Sequence, residues 1–473
     1  MLFHAIGFGL YVSWLWMLFL EGPLLAPAAA LWQIQPNNLF LLFLCCNSIG
    51  FYFLGFTLRT RSLIVERNMF NYCAVLLSLG PVLLGGIPFL DSEIAANHAW
   101  LAYVLAGAAG FAGAPFMAVW LEFFTMIRLD RAAAVLAGAI TIATGFTLLG
   151  GVVKLVPGLM IIAIMPIASL ALIKKQTRHW FNYQVQGNVT AGLDPFPIRI
   201  KVLFALFYIA GGLMFKIVTL EQSFPYLFCV ANISYAVITI IAAVLFHYSS
   251  KYDLSMLYRP TLPLLSIGFL LFFSRWENQL AIVSFLLIQA GFALFDMYTW
   301  LLIVRIANHH AKPAAVCCMG LFLITFSILS GNLAFTMFNV FMGNQLQVEF
   351  LALIAGVLSL MSALVFSDSK EVSSDKDGSV YSSETDILAH TDITNQAAQM
   401  DTLDFECKQE GEGSVLTERE KEVLGLLLKG RSARVIGETL NVSANTVKFH
   451  IKNIYEKTGV KNRQKLLDMF ENF

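Results

Sequence analysis

Twelve long apolar runs fill the first 366 residues of this 473-residue chain and restrict the folds that it can adopt. They cover residues 2–20, 39–57, 70–90, 99–121, 132–152, 156–174, 202–220, 226–247, 260–274, 279–304, 314–335 and 348–366. An α-helix needs about 20 apolar residues to cross a bilayer, where the backbone finds hydrogen-bond partners only within itself. The runs therefore predict an all-α bundle of twelve transmembrane helices. The ninth run is the weakest, because it is short and contains Pro260 and Pro263.

The composition and the start of the chain agree with a membrane protein. Hydrophobic residues make up 58% of the sequence and charged residues only 13%, which is more apolar surface than a soluble protein needs. The first run has no basic segment before it and no small-residue cleavage site behind a short apolar core. It therefore predicts a first membrane helix and not a removed signal peptide.

Basic residues between the runs predict the orientation of the helices. With the N-terminus in the cytoplasm, the external loops carry only Lys154 and Arg275. The internal loops carry fourteen basic residues, namely Arg59, Arg61, Arg67, Arg128, Arg131, Lys174, Lys175, Arg178, Arg199, Lys201, Lys251, Arg259, Arg305 and Lys312. Lys and Arg accumulate on the cytoplasmic side of membranes, so this pattern predicts cytoplasmic N- and C-termini and supports twelve helices.

The longest internal loop divides the runs into two groups of six. It covers about residues 175–201, between the sixth and seventh runs, and Gly110-Phe111-Ala112 in the first half is echoed by Gly291-Phe292-Ala293 in the second. This six-plus-six division resembles the major facilitator superfamily of membrane transporters. The loop after the second run, Leu58-Arg59-Thr60-Arg61, lacks the Gly- and Asp-containing signature usual in that family. The missing signature argues against active transport more than it argues against this fold.

The charge changes sharply after the last apolar run. Residues 367–413 carry a net charge of −9, and residues 414–473 carry +4. The acidic segment is rich in Ser, Asp, Glu and Thr and too poor in apolar residues to form a core, so it predicts a disordered linker. A flexible chain of that length spans roughly 38 Å, which argues against rigid mechanical coupling through it. The predicted domains are thus 1–366, 367–413 and 414–473.

Residues 416–463 contain a multi-residue pattern typical of a small helical domain. The pattern consists of Leu416-Thr417-Glu418-Arg419-Glu420, Val423, Leu424, Gly430, Ile436, Leu440, Ser443, Thr446-Val447-Lys448-Phe449-His450, Ile454, Lys457, Val460 and Arg463. It resembles the helix-turn-helix domain of the LuxR family of bacterial transcription regulators. Thr417 and Glu420 have the spacing of a capping box that starts the first helix, and Gly430 is placed to end it. The resemblance implies a four-helix DNA-binding domain.

The third helix of this domain is predicted to read the DNA major groove. Val447, Ile451 and Ile454 form its buried stripe, which leaves a polar and basic face on the other side. The predicted DNA-binding residues are Asn445, Thr446, Lys448, Phe449, His450, Lys452, Lys461 and Arg463. The resemblance implies base contacts at Lys448, Phe449 and Lys452, although Phe449 replaces a usually small aliphatic residue. His450, Lys461 and Arg463 are expected to contact backbone phosphates or to pack within the domain. The alternative for Lys448 and Lys452 is that they belong to an ordinary solvated helix face.

A fourth helix is predicted to begin at Asn462. In the LuxR family this helix pairs subunits on DNA, so the resemblance implies a homodimer. Phe470 and Phe473 are candidates for that interface, and closing the small core is an equal alternative for them.

Three ionisable residues lie within the predicted spans: Glu122, Lys216 and Asp296. A charge near the bilayer centre costs at least about 2.5–3.5 kcal/mol unless it faces a partner or water. In a major-facilitator architecture these three residues fall on helices four, seven and ten, which line the central cavity. With the aromatic residues Trp120 and Trp300 they form a candidate ligand site. The alternatives are that Glu122 and Lys216 reach the membrane surface and that Asp296 forms a structural pair.

The sequence contains no catalytic motif, no metal-ligand spacing and no cofactor signature, so we expect neither an enzyme nor a bound cofactor. The resulting hypothesis is a one-component regulator in the bacterial cytoplasmic membrane. It would sense an unknown small molecule in the bilayer and bind double-stranded promoter DNA, with RNA polymerase as a further candidate partner. A transporter with a regulatory tail and a regulator released by proteolysis within residues 367–413 are the alternatives.

Reporter fusions test the predicted orientation. Fusions after residues 67, 178 and 366 should report a cytoplasmic location, and a fusion after residue 93 should report the external side. Paired alkaline phosphatase and green fluorescent protein fusions measure both outcomes. An external signal at residue 366 would separate the DNA-binding region from DNA and contradict the hypothesis.

Overall fold

The computed structural model is helical in every part of the chain that it describes. The described residues are 2–19, 23–58, 67–90, 92–177, 195–220, 225–248, 254–274, 278–308, 310, 312–341, 353–359, 361, 417–428, 431, 433–440, 444–458, 460 and 466. The predicted linker, residues 367–413, lies outside them. The all-α fold class is confirmed within these ranges.

Fourteen helices form the first part of the structure. They are α1 (Leu2–Leu18), α2 (Leu25–Leu31), α3 (Pro36–Thr57), α4 (Arg67–Leu90), α5 (Ser92–Asn97), α6 (Trp100–Phe124), α7 (Leu129–Gly150), α8 (Leu155–Thr177), α9 (Ile198–Leu220), α10 (Pro225–Tyr248), α11 (Ser255–Tyr258), α12 (Thr261–Ser274), α13 (Asn278–Asn308) and α14 (Pro313–Phe341). A short helical stretch follows at residues 353–359. Among the described residues, eight helices are long and apolar enough to cross a membrane. The count of twelve stays a prediction.

The outer surface of this bundle is apolar. Phe53 is 60% exposed, Ile164 66% and Leu270 68%. A soluble protein rarely exposes apolar patches this extensive, whereas lipid chains solvate them. The exposed faces of these helices therefore fit a bilayer environment.

Small residues allow the helices to pack closely. A Cβ added at Gly110 of α6 would collide with the carbonyl oxygen of Phe43 in α3. In the second half, a Cβ added at Gly331 of α14 would collide with the carbonyl oxygen of Ile209 in α9. Close backbone approach of this kind is a general source of helix association in membranes, where no hydrophobic effect drives it.

Polar contacts join the two halves of the bundle. The Ser48 hydroxyl of α3 donates to Thr325 Oγ1 of α14 over 3.0 Å. Asp130 at the start of α7 is buried and lies 3.3 Å from His247 Nδ1 at the end of α10. These contacts join α3 and α7 of the first half to α14 and α10 of the second.

The C-terminal part has three described helices: α15 (Glu418–Leu428), α16 (Ala433–Leu440) and α17 (Ala444–Thr458). They enclose a core that is separate from that of the membrane bundle, formed by Val423, Leu424, Leu426, Leu427, Ile436, Val447, Ile454 and Leu466. Val447 and Ile454 of the predicted stripe are fully buried, and Ile451 is partly buried against the same core. Gly430 and most of the predicted fourth helix lie outside the described residues, so the four-helix count stays a prediction.

The capping box at the start of α15 is present as predicted. The Thr417 backbone N–H donates to Glu420 Oε2 over 2.8 Å, and the Glu420 backbone N–H donates to Thr417 Oγ1 over 3.3 Å. Lys457 of α17 donates to the same Glu420 carboxylate over 2.7 Å. The Lys457 ammonium and the Thr417 amide lower the pKa of the Glu420 carboxyl from 4.5 to about 2. Glu420 therefore connects the first helix of the domain to the third.

The Glu420 contacts predict how the stability of this domain depends on pH. A carboxyl whose pKa is lower in the folded state contributes stability above pH 4.5 and loses it as the pH falls towards about 2. Glu420→Gln should lower the free energy of unfolding of segment 410–473 at pH 7 and flatten its decline below pH 4.5. Urea unfolding followed by circular dichroism measures both effects. Glu422→Gln, at an exposed position of α15, is the matched control. Parallel pH profiles for wild type and Glu420→Gln would contradict the assignment.

Candidate functional sites

Asp296 of α13 is held by two tyrosines inside the membrane bundle. The Tyr208 hydroxyl of α9 donates to Asp296 Oδ1 over 2.7 Å, and the Tyr235 hydroxyl of α10 donates to Oδ2 over 2.5 Å. Hydrogen bonds to an ionised carboxylate are short and strong, and these two offset part of the cost of burying the charge. The three side chains form a polar cluster at the meeting point of three helices.

The Asp296 cluster is only partly buried. Asp296, Tyr235 and Trp16 each keep part of their surface exposed. Trp16 of α1 packs edge-on against Tyr235, with ring centroids 5.7 Å apart. Asp296 therefore lies near aromatic side chains from both halves of the bundle, which is a usual composition for a ligand pocket.

The other predicted ligand residues lie on three helices. Trp300 lies one turn after Asp296 on α13, Glu122 and Trp120 lie on α6, and Lys216 lies on α9. Glu122 is buried at the end of α6, with 2% of its surface exposed, so its carboxyl does not lie at the surface of the fold. Lys216 lies in α9, but its side chain is outside the described part of the chain. Trp120 is fully buried, and its indole N–H donates to Ser169 Oγ over 3.1 Å. The ring of Phe8 contacts both tryptophans. Its centroid lies 5.6 Å from that of Trp120 and 5.7 Å from that of the partly exposed Trp300.

Sequence reasoning missed Tyr208, Tyr235 and Trp16. Each lies within an apolar run in which aromatic residues are frequent, so nothing in the local sequence distinguishes it. Only the packing of α1, α9, α10 and α13 shows which aromatic side chains face Asp296. The signal that the sequence did give was the charge of Asp296 within an apolar run.

The recognition helix of the C-terminal domain exposes part of the predicted DNA-binding face. Phe449 is 62% exposed, Thr446 and Lys452 are also exposed, and His450 is half-buried. The side chains of Asn445 and Lys448, and the whole of Lys461 and Arg463, lie outside the described residues. On the opposite face Val447 and Ile454 are completely buried, so an aromatic residue and a lysine project away from the core.

The structure offers no metal site in the part of the chain that it describes. Within these residues, no group of three His, Cys, Asp or Glu side chains converges in a way that could hold a metal ion. The described cysteines, among them the buried Cys317 and Cys318, are free thiols.

Comparison with known proteins identifies the C-terminal domain. Residues 414–470 match the family of bacterial regulatory proteins of the luxR type. A monoamine regulon transcriptional regulator of Klebsiella aerogenes is 39% identical over 64 residues, which is 13% of this chain and 28% of that protein. The regulator MalT of Klebsiella pneumoniae is 51% identical over 51 residues, 11% of this chain and 6% of MalT. The likeness to these regulators thus covers a small part of this chain and less than a third of each relative.

The membrane bundle has the fold of known transporters. A bacterial homologue of the iron transporter ferroportin superimposes with a TM-score of 0.53 at 14% identity, covering 78% of this chain and 98% of that one. The proton:xylose symporter XylE of the major facilitator superfamily gives 0.54 at 13% identity, covering 77% and 93%. At such identities the likeness concerns the fold alone. This chain therefore joins a major-facilitator-like helical membrane domain to a luxR-family helix-turn-helix domain at residues 414–470.

Proposed function

We propose that this protein is a membrane-bound one-component transcription regulator. It senses a small molecule through the membrane domain and binds promoter DNA through the luxR-type domain. The observation that carries the proposal is the partly exposed Asp296, held by Tyr208 and Tyr235 inside a bundle that is fused to a luxR-type domain. A one-component regulator needs a ligand site and a DNA reader in one chain. The Asp296 cluster is the candidate for the first, and residues 414–470 are the candidate for the second.

The Asp296 site favours a ligand with a positive charge or several hydrogen-bond donors. A carboxylate accepts hydrogen bonds only, and two of its acceptor positions already receive tyrosine hydroxyls. A ligand that adds a donor, or replaces one tyrosine, would change the contacts among α9, α10 and α13. A ligand shifts an equilibrium only through different affinities for two states, and such a rearrangement supplies that difference.

The proposed organisation follows the sequence. Residues 1–366 form the membrane sensor, residues 367–413 an acidic linker and residues 414–473 the DNA-binding domain, with both termini in the bacterial cytoplasm. Fourteen basic residues in the predicted internal loops against two in the external loops support this orientation. The relatives of the C-terminal domain are named as transcriptional regulators, which supports promoter DNA as the partner.

On DNA the protein is proposed to act as a homodimer. Two helix-turn-helix domains that bind one face of a duplex contact half-sites about 34 Å apart. Two linkers of this length reach that distance, so membrane-anchored subunits can occupy both half-sites. Contact with RNA polymerase at the promoter is a further part of the proposal.

The fold also supports a second candidate, a transporter that carries a DNA-binding tail. The superposition on XylE and the ferroportin homologue is the observation in its favour, but fold alone does not establish transport. Uptake of a labelled inducer into vesicles, dependent on a proton or sodium gradient, would support it. Binding of the inducer without uptake would favour the sensor.

Substitution of two lysines tests whether the predicted face of α17 contacts DNA. In segment 410–473, Lys448→Ala and Lys452→Ala should each weaken binding to a selected duplex, because a base contact contributes about 1–3 kcal/mol of discrimination. Fluorescence anisotropy measures affinity for the selected duplex and for a scrambled one. Lys421→Ala, which removes an exposed lysine from α15, should leave the discrimination unchanged. Unaltered affinity and discrimination in the double variant would assign DNA contact to another face.

The ligand site is tested at Asp296. Asp296→Asn should remain folded and inserted in the membrane, yet lock the transcriptional output high or low, because it removes the charge on which the ligand acts. Tyr235→Phe should shift the dose–response, since a hydrogen bond to a charged group contributes about 1.5–3 kcal/mol. Tyr248→Phe is the matched control, because Tyr248 lies on the same helix and is 81% exposed.

A reporter dose–response, with protein level checked by immunoblot, measures these effects. The isolated segment 410–473 contains none of the substituted residues. Its affinity for DNA is therefore the common reference for all of these variants. A wild-type curve for Asp296→Asn would give this residue a structural role and make Glu122 and Lys216 the next candidates.

A further inference from the structure

One arginine of the DNA-binding domain contacts the membrane domain directly. Nη1 of Arg431, just before α16, lies 3.2 Å from the carbonyl oxygen of Ala307, 2.5 Å from that of Asn308 and 2.8 Å from that of His310. Ala307 and Asn308 are the last residues of α13, and His310 follows its end. The arginine thus closes the C-terminal end of a membrane helix that belongs to the other domain.

The contact has a clear electrostatic basis. The last carbonyl groups of an α-helix have no partner within the helix, and the helix dipole concentrates negative partial charge there. A guanidinium group is permanently charged and donates several hydrogen bonds in a plane, so it suits a cluster of carbonyl oxygens. Arg419 makes the same kind of contact within its own domain, donating to the Leu440 carbonyl at the end of α16 over 2.6 Å.

The end of α13 lies beside other membrane helices. α13 packs against α14 of its own half and against α6 and α7 of the first half. Arg431 therefore contacts a helix that touches both halves, at the end of the bundle that the basic loops assign to the cytoplasm.

The same helix carries the candidate ligand site. Asp296 and Asn308 are twelve residues apart on α13, which corresponds to about 18 Å along a continuous helix. A displacement of α13 at the Asp296 cluster would move the carbonyl groups that hold Arg431. This path does not involve the linker, whose predicted flexibility excludes it as a lever.

We propose that the C-terminal end of α13 is a docking surface for the protein's own DNA-binding domain, with Arg431 as its anchor. The occupant is the segment around α16 of the same chain. The docked and DNA-bound states exclude each other, because the first helix of a helix-turn-helix pair crosses the DNA backbone, where Arg431 would meet phosphate. Control of docking by the ligand rests on the proposed function, whereas the docking itself does not.

Variants on the membrane side test docking without altering the DNA-binding domain. In full-length protein in nanodiscs, Asn308→Lys places a positive charge beside Arg431 and should raise affinity for a library-selected duplex. Asn308→Asp should lower it. Allosteric coupling of this kind typically changes affinity by about 5–150-fold, which sets the expected range. Equal affinities for wild type and both variants would overturn the proposal.

Chemical crosslinking detects docking in the absence of DNA. Full-length protein carrying Asn308→Cys, Ala433→Cys and a protease site between residues 408 and 413 is treated with a short bismaleimide and then cleaved. The two fragments should stay joined on a denaturing gel, and adding Arg431→Ala should greatly reduce the joined fraction. The matched control keeps the native cysteines and Ala433→Cys but lacks Asn308→Cys. A joined fraction no greater than in this control would also overturn the proposal.

The two measurements separate docking from the proposed function. If crosslinking depends on Arg431 but the undocked variants Asn308→Lys and Arg431→Ala also bind no duplex, docking stands and the regulatory function fails. If wild type binds DNA and responds to inducer while crosslinking and the Asn308 variants show no effect, the function stands and the docking surface is wrong.

Discussion

The need to satisfy every backbone hydrogen bond in an apolar solvent governs most of this structure. Within lipid a helix meets that need by itself, and the described parts of the apolar runs are helical. Association then relies on close packing and on scattered polar contacts, because lipid provides no hydrophobic drive. Gly110 and Gly331 permit the close backbone approach, and Ser48 with Thr325 supplies a polar link between the halves. The same solvent makes a charge costly, and two tyrosine hydroxyls offset part of that cost at Asp296.

The two domains obey different physical rules within one chain. The membrane bundle exposes apolar side chains, and many of its buried polar side chains donate to backbone carbonyl groups. The C-terminal domain has the small apolar core of a water-soluble protein, and a capping box and an ion pair through Glu420 fix its first helix. Because the cores are separate, the domains depend on each other only through the linker and the surface where they touch.

Communication between the domains is the main mechanistic question for such a fusion. A flexible linker transmits position and local concentration but not orientation. The contact of Arg431 with the end of α13 offers a second route, because α13 also carries Asp296. α13 also packs against α6 and α7 of the first half, so the helix that meets Arg431 touches both halves of the bundle.

The sequence by itself determined the classes of structure. Apolar run length fixed the helical membrane bundle, and Thr417 with Glu420 fixed the start of α15, because both depend on local spacing and backbone chemistry. Burial of Val447 and Ile454 followed from helical periodicity. The Asp296 charge pointed to a site, but its partners Tyr208 and Tyr235 did not stand out among the aromatic residues of apolar runs. Nor did the sequence indicate that Arg431 meets Asn308, 123 residues away in the chain. Such pairings depend on how helices pack in three dimensions, and only the tertiary structure decided them.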